Sequence, residues 1–363
     1  MMVDMIVFPM VRVAINGYGR IGRNVHRQFL MHFADAVEVV AVNASSAPDM
    51  RAYLLKYDSL HGRLLADVRV DSQDLLVNGK RVRVVQERDP SRCPWQELNI
   101  DVVVESTGNF ATREEVMGHL RSGAKRVVVT APMKDTTPTI VPGVNDDTLA
   151  AGMDIISTAS CTTNCIAPVI KVIDAVYGVQ SLLVSSVHAY TASQNLLDNK
   201  AQEPGELRRA RAATLSVIPT KTGAIRACAA IFPHLKGRMD GMAFRVPVPT
   251  VSCAYMAFSL QRDATVDGVH DALRAAAVTR ELQGILALSD DQCVSIDFQT
   301  DPHSSIVDAP STKVVGGRTL QLLAWYDNEW GYAMRVTEMT LRLGALLIHS
   351  PLSSHAVSIL SPA

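Results

Sequence analysis

The chain has 363 residues, of which 48% are apolar and 20% charged, and its formal net charge is -1. At roughly 100–200 residues per domain, that is enough for two domains with sizeable cores. Charge this balanced gives no field for nucleic acid or an anionic bilayer, and no apolar run approaches the roughly 20 residues that span a membrane, so neither partner is expected.

The N-terminal MMVDMIVFPM is short for a signal peptide and carries Asp4 where a basic start is needed, so a cytoplasmic protein is expected. Residues 11–16 form an apolar strand, and a helix follows from 20 to about 32. Between them Gly17, Gly19 and Gly22 fit G-x-G-x-x-G. In that setting the glycines allow a tight turn and let a pyrophosphate approach the helix N-terminus, which points to dinucleotide binding. The next strand, 37–43, ends in Asn43-Ala44-Ser45-Ser46. An acidic residue at position 44 would bond the adenosine ribose of NAD and repel the 2′-phosphate of NADP. Ala44 removes that repulsion, Ser45 and Ser46 offer hydroxyls, and Arg51 or Arg88 can bring positive charge. The other expectation is an enzyme that uses either cofactor.

Strands at 101–105, 126–130 and 155–157, with helices near 112–123 and 145–151, complete a βα alternation. It implies a Rossmann-type, doubly wound parallel sheet. Ser160-Cys161-Thr162-Thr163-Asn164-Cys165 follows, at the start of a helix running to about 176. A cysteine there feels the positive end of the helix dipole, which lowers its pKa and favours thiolate. Cys165 lies one turn inside and reads as structural, as do Cys228, Cys253 and Cys293. With Cys93, these make six scattered cysteines, and no disulfide framework is expected. The Cys161–Cys165 pair has no second Cys or His pair nearby at zinc-ligand spacing, so no metal is expected.

Beyond it, strands at 182–189, 242–247, 251–260, 293–298 and 319–326 alternate with helices at 223–231, 266–277 and 329–343. This implies an α+β domain with a mixed or antiparallel sheet. The expected organisation is a dinucleotide-binding domain over 1–159, a catalytic and substrate domain over 160–328, a C-terminal helix over 329–345 that packs back on the first domain, and a Ser/Pro-rich tail over 346–363. His188 ends the 182–189 strand, and spacing alone leaves it open whether it is a core histidine or the partner of a thiolate.

Six motifs in order, NGYGRIGR at 16–23, SCTTNC at 160–165, HAYT at 188–191, LRRARAA at 207–213, MAFRVP at 242–247 and WYDNEWGY at 325–332, resemble the glyceraldehyde-3-phosphate dehydrogenase family over about residues 11–345. The resemblance implies a phosphorylating oxidation of D-glyceraldehyde 3-phosphate to 1,3-bisphosphoglycerate. Cys161 would be the nucleophile and His188 its base. Thr191 and Arg245 would hold the substrate's phosphate. Ser160, Thr162, Thr222 and Gly223 would receive the attacking inorganic phosphate, with Arg209 bridging the region. Asn328 would fix the nicotinamide carboxamide, and Arg20, Ile21, Thr107, Gly108 and Thr130 would complete the cofactor site. A homotetramer is also implied.

Four departures matter. Ala44 resembles the NADP-using, biosynthetic branch. The 192–206 loop is about three residues longer than in the family, Asn199 stands where NAD-users often have Leu, and Thr158 replaces an expected Asn. The rival enzyme is the related erythrose-4-phosphate dehydrogenase, which HAYT and Arg245 disfavour. A non-catalytic NAD(P)-binding redox sensor is the other rival, and it would not need two phosphate sites.

Overall fold

The computed structural model describes residues 10–201 and 205–348; the N-terminal lead and most of the predicted tail lie outside the described residues. The chain divides into two compact units. Among the described residues, one holds 10–138, 148–158 and 336–348, and the other holds 139–147 and 159–335.

In the first unit, β1 (Val11–Asn16), α1 (Arg20–His32), β2 (Val37–Asn43) and α2 (Pro48–Lys56) are followed by a two-residue pair, β3 (Tyr57–Asp58) with β4 (Gly62–Arg63). Next come β5 (Val68–Asp71), β6 (Asp74–Val77), β7 (Lys80–Val85), β8 (Val102–Glu105), α3 (Arg113–Arg121), β9 (Arg126–Val129) and β10 (Ile155–Ser157). The sheet order is β10-β9-β8-β1-β2-β7-β6-β5. The run from β10 to β7 is parallel, as the βα alternation predicts, and its strands β8, β9 and β10 are nearly continuous buried apolar runs. The hairpin strands β5 to β7 extend it with antiparallel pairings that the sequence reading missed. Register aligns Asn16 with both Asn43 and Glu105, so three polar side chains share one line at the carboxyl ends of β1, β2 and β8. Trp95, Ile100, Val103, Val116, Val127 and Ile155 form part of the core. Glu115 reaches back at the start of α3, its Oε2 accepting the Thr112 N–H at 2.9 Å.

The expected helix at 145–151 is only a short turn, Asp146–Thr148. Its polar side chains bond backbone behind them: Asn145 Oδ1 accepts from Val141 N–H at 2.8 Å and Asp146 Oδ1 from Gly143 N–H at 2.9 Å. That local bonding competes with helix formation.

The second unit opens with α4 (Cys161–Tyr177) and β11 (Val179–Ala189). It continues through β12 (Ile218–Thr220), α5 (Ala224–Ile231), β13 (Met239–Val246), β14 (Ser252–Leu260), α6 (Val266–Ala277), β15 (Leu286–Ser289), β16 (Ser305–Asp308), β17 (Lys313–Val315) and β18 (Thr319–Tyr326), to α7 (Trp330–Ile348). The sheet is mixed, in order β12-β13-β11-β14-β18-β16-β15, with β17 beside β18. Alternation along β11 buries Leu182, Val184, Ser186 and His188, while Leu183 stays exposed. Leu182 and Val184 belong to a core with Ile166, Val169, Ile170 and Ile173 of α4.

The strand expected at 293–298 is instead a single 3-10 turn, Ser295–Phe298, closed by Asp297 Oδ2 accepting from Val294 N–H at 2.7 Å. Its alternating apolar residues misled the reading: Val294 is 60% and Ile296 56% exposed, so neither is a core position. The helix α7 crosses from one unit's residues to the other's at Arg335–Val336. Within the first unit, its Gly344 meets Val11 so closely that a Cβ would lie 2.5 Å from the valine side chain.

Candidate active site

The first unit builds a dinucleotide cradle from backbone. Gly17 has φ +91°, and a Cβ there would lie 2.6 Å from Thr107 N; a Cβ on Gly22 would lie 2.2 Å from the Gly17 carbonyl oxygen. Both positions therefore require glycine. Gly19 differs, because a Cβ there would meet nothing within 4 Å. It caps α1 without a side-chain bond and leaves open space at a helix start, the arrangement a pyrophosphate needs. The intervening Tyr18 is buried, and its hydroxyl is hydrogen-bonded with His26 Nδ1 at 2.6 Å, fixing the loop to α1.

Behind this loop runs a buried polar chain. Trp95 Nε1–H donates to His119 Nδ1 at 2.9 Å, so His119 Nε2 carries its proton and donates to Glu105 at 3.1 Å. Glu105 also accepts from Asn16 Nδ2 and from the backbone and hydroxyl of Thr107. Asn16 Oδ1 accepts from Asn43 Nδ2 at 2.6 Å, and Asn43 Oδ1 accepts from Glu87 N–H at 3.0 Å. Ser106 Oγ donates to the Gly17 carbonyl at 2.6 Å. Thr107 and Gly108, predicted cofactor residues, thus follow a strand end whose side chains are all committed; Gly108 has φ +71° with open space beside it. Thr130 continues the same line, its N–H bonded to the Glu105 carbonyl at 2.9 Å. Arg20 starts α1, and its guanidinium is engaged by both carboxylate oxygens of Asp58. Burial works against that carboxylate, but the Arg20 bond and the N–H groups of His61 and Leu60 hold its pKa at about 2. The Arg20 side chain is thus committed to Asp58, and the predicted Ile21 follows it in the first turn of α1.

Ala44 follows β2 with its N–H on the Val85 carbonyl at 2.9 Å; Ser45 beside it and Arg88, shortly after Val85 in sequence, are exposed. Arg51 is 1% exposed; its Nη2 donates to the Ala44 carbonyl at 3.0 Å, while Nε and Nη1 have no hydrogen-bond partner among the described residues.

In the second unit, Ala159 takes φ +58°, turning the chain into α4, and Tyr332 Oη–H donates to its carbonyl at 3.0 Å. Ser160 caps the helix through Oγ, which accepts Thr163 N–H at 3.1 Å, and Cys161 is the first helical residue. Its Sγ lies 3.5 Å from His188 Nε2. Parallel pairing of β11 with β13 sets His188 directly opposite Arg245, and the Arg245 Nη1 is 2.6 Å from His188 Nδ1. The same Nδ1 lies 2.7 Å from the Ala189 carbonyl, which also accepts from Arg245 Nη1 at 3.1 Å. A guanidinium only donates, so two arrangements compete. With Nδ1–H given to Ala189, Nε2 offers its lone pair to the thiol and Arg245 must move off. An anion engaging Arg245 favours that arrangement.

Burial pushes the Cys161 thiol upward, opposed by the Arg245 charge and by Thr162. The expectation of a thiol lowered by the helix start is therefore corrected: desolvation outweighs the Arg245 charge and the hydrogen bonds at the sulfur. Burial likewise pushes His188 down to about 3, reinforced by Arg245 and opposed by its bond to Ala189, so the ring is neutral and able to accept a proton. Once the proton passes between them, opposite charges 3.5 Å apart gain on the order of 4–5 kcal/mol at an effective dielectric of ~20, which offsets much of the burial penalty. Cys228 and Cys253 are pushed to about 12 by burial, as inert core thiols.

The remaining predicted residues of this unit have bonds of their own. Thr191 Oγ1 sits 2.8 Å from Ser193 Oγ, in a turn closed by Gln194. Arg209 Nε donates to Thr220 Oγ1 at 3.1 Å, and its charge acts on His188. Thr222 and Gly223 stand at the N-terminus of α5, where Thr222 Oγ1 accepts Ala224 N–H at 3.2 Å. Thr162 Oγ1 bonds Tyr326 Oη at 2.9 Å.

Sequence models of the glyceraldehyde 3-phosphate dehydrogenase NAD binding domain and C-terminal domain match residues 11–113 and 160–328. The chain is 47% identical over 340 residues to glyceraldehyde-3-phosphate dehydrogenase 2 of Bacillus subtilis, covering 93% of this chain and 98% of that one. It is 48% identical over 330 residues to the enzyme so named from Geobacillus stearothermophilus, covering 91% and 97%. The Streptomyces coelicolor enzyme of that name gives 46% over 335 residues, covering 92% and 98%.

The chain belongs to the glyceraldehyde-3-phosphate dehydrogenase family.

With the family comes its chemistry: the protein is an oxidoreductase acting on an aldehyde with phosphate, and its glycine-rich unit is a nicotinamide-dinucleotide-binding domain. Two residues that the sequence reading passed over sit in the middle of this dehydrogenase's thiol site. Tyr326 is buried, packs edge-on to the His188 ring with centroids 6.1 Å apart, and ties Thr162 to Ser186 through its hydroxyl. Ser252, 1% exposed, follows Val251, which is held at φ +60°, a conformation that costs a β-branched residue about 1–3 kcal/mol. Tyr326 was visible within WYDNEWGY; Ser252 carried no local signal. No helix among the described residues is long and apolar enough to cross a membrane.

Proposed function

We propose that this protein is a phosphorylating glyceraldehyde-3-phosphate dehydrogenase that oxidises D-glyceraldehyde 3-phosphate to 1,3-bisphosphoglycerate, reversibly, through a thioester on Cys161. The observation that carries the reading is the 3.5 Å approach of Cys161 Sγ to His188 Nε2 at a capped helix start, with Arg245 beside the ring. Cys161 sulfur bonds to the aldehyde carbon, and the new oxyanion gains a proton to give a thiohemiacetal. His188 Nε2 then takes the hydroxyl proton while the carbon loses hydride and becomes a thioester. The dinucleotide, when bound, supplies the hydride acceptor. An oxygen of inorganic phosphate attacks the thioester carbonyl, the C–S bond breaks, and Cys161 leaves as thiolate. Arg245 and Thr191 hold the substrate's own phosphate; Ser160, Thr162, Arg209, Thr222 and Gly223 hold the incoming one, with α5's unmet N–H groups aiding. Asn328 holds the nicotinamide carboxamide.

The cofactor is NADP, alone or beside NAD. Support comes from Ala44, which carries no charge to repel a 2′-phosphate, and from the buried, under-partnered Arg51 guanidinium bonded to its carbonyl. Exposed Ser45 and Arg88 add donors. The enzyme acts in the cytoplasm, a setting its six unpaired thiols fit. It works as a homotetramer; the outer face of the second sheet, with Leu183 64%, Met242 39% and Tyr255 38% exposed, offers apolar surface for a second copy.

The test is steady-state kinetics of one preparation with NAD and NADP, with and without inorganic phosphate, on the three-carbon aldehyde and on erythrose 4-phosphate. Phosphate-dependent turnover of the three-carbon aldehyde is expected. A better kcat/KM on erythrose 4-phosphate would overturn the substrate, and a tenfold or greater preference for NAD would overturn only the cofactor.

A further inference from the structure

Ser252 is the first residue of β14 and is 1% exposed. Its Oγ accepts the N–H of Ala189 at 3.0 Å and donates to Asn328 Oδ1 at 2.8 Å. Ala189 follows His188, and its carbonyl is the group that meets His188 Nδ1 at 2.7 Å. One hydroxyl therefore joins the peptide that orients the histidine to the side chain of Asn328. The three residues are all buried, at 0% for Ala189, 4% for Asn328 and 6% for His188. The hydroxyl has a single proton. Given to Asn328 Oδ1, it leaves the amide's Nδ2 as the donor on the opposite side; with the amide reversed, that proton would lie buried without an acceptor. Asp327 holds the neighbouring backbone, its Oδ1 accepting the N–H groups of Glu329 and Trp330 at 2.9 Å, so Asn328 cannot easily slide to compensate.

We infer that Ser252 is a positioning residue that fixes the orientation of the Asn328 amide and, through the Ala189 peptide, the tautomer of His188. The Asn328 half rests on the proposed role of that residue in holding the nicotinamide carboxamide, where a fixed Nδ2 donor matches a carboxamide oxygen and rejects the flipped ring. The His188 half stands independently of any cofactor.

The test compares Ser252→Ala, Ser252→Thr and Asn328→Ala in the full-length enzyme. Hydride transfer to the nicotinamide ring is followed with deuterium-labelled dinucleotide and NMR of the product, and Cys161 alkylation by iodoacetamide is followed against pH without dinucleotide. For S252A we expect measurable transfer to the wrong face, a dinucleotide KM raised about tenfold with a smaller fall in kcat, and a displaced alkylation pH profile. S252T restores all three. Thermal unfolding is the control for a merely structural effect, and Ser252→Cys carries the same readouts should S252A not fold. Unchanged stereochemistry in S252A while N328A loses it overturns the amide half. An unchanged alkylation profile overturns the His188 half. If N328A itself keeps wild-type KM and stereochemistry, the role of Asn328 is wrong, and the alkylation profile alone then decides what Ser252 does.

Discussion

In the first unit, Gly17, Gly19 and Gly22 clear space for a ligand by having no side chains, and the polar groups behind them are bonded to each other. In the second unit, Cys161, His188, Arg245 and Tyr326 do the opposite: they crowd reactive side chains into one buried cluster. A site made of backbone is specified by residues adjacent in sequence, and its failure mode is steric. A site made of side chains is specified by strand register, and its failure mode is chemical. The two units should therefore respond differently to small substitutions.

The largest effect is expected in the second unit. His188→Asn keeps volume and polarity but cannot take a proton, and turnover should fall about 10²–10⁴-fold with little change in melting temperature. A redox sensor without turnover would show no such loss. Next comes the edge of the first unit: Ala44→Asp should lower kcat/KM for NADP by roughly 10–100-fold while leaving NAD unharmed, since like charges within a few Å cost on the order of a kcal/mol or more. Equal losses with both cofactors would mean that position 44 disturbs the fold rather than reading the phosphate.

The glycines supply a smaller but sharper contrast. Gly22→Ala puts a Cβ 2.2 Å from the Gly17 carbonyl and should destabilise the protein without ligand by about 1–3 kcal/mol. Gly19→Ala meets nothing within 4 Å, so the unliganded protein should unfold as wild type while dinucleotide binding weakens. Calorimetric melting with and without dinucleotide separates the two. If both variants melt together, Gly19 is not at the ligand surface.

A pH dependence is shared between the units. His26 and His188 are buried and pushed down to about 3, from 6.5. A depressed histidine is neutral when folded, so the unfolded chain binds its proton first. Its contribution to stability is complete above pH 6.5 and is lost as pH falls toward 3. The expected slope is up to about 1.4 kcal/mol per pH unit for each group, read as a falling urea midpoint between pH 7 and 5. H188N should remove its share and leave that of His26; a slope unaltered by the substitution would place the proton uptake elsewhere.

The two sites also differed in how much the sequence disclosed. The glycine fingerprint, the serine cap and Cys161 at a helix start are contiguous, and local geometry follows from local sequence once a strand precedes and a helix follows. The same local logic overreached where polar side chains captured the backbone, at 145–151 and 293–298, and turned predicted elements into single turns.

By itself, then, the sequence determined the family, the parallel sheet with its cradle, the second mixed sheet and the placement of Cys161 at a helix start. Tertiary structure alone decided what those groups are near. Pairing of β11 with β13 set His188 opposite Arg245, 57 residues apart, and Tyr326 reached Thr162 across 164 residues. It also decided the sign of the shift at Cys161. A helix start is visible in one dimension, but burial depends on everything packed around the sulfur, and here burial wins.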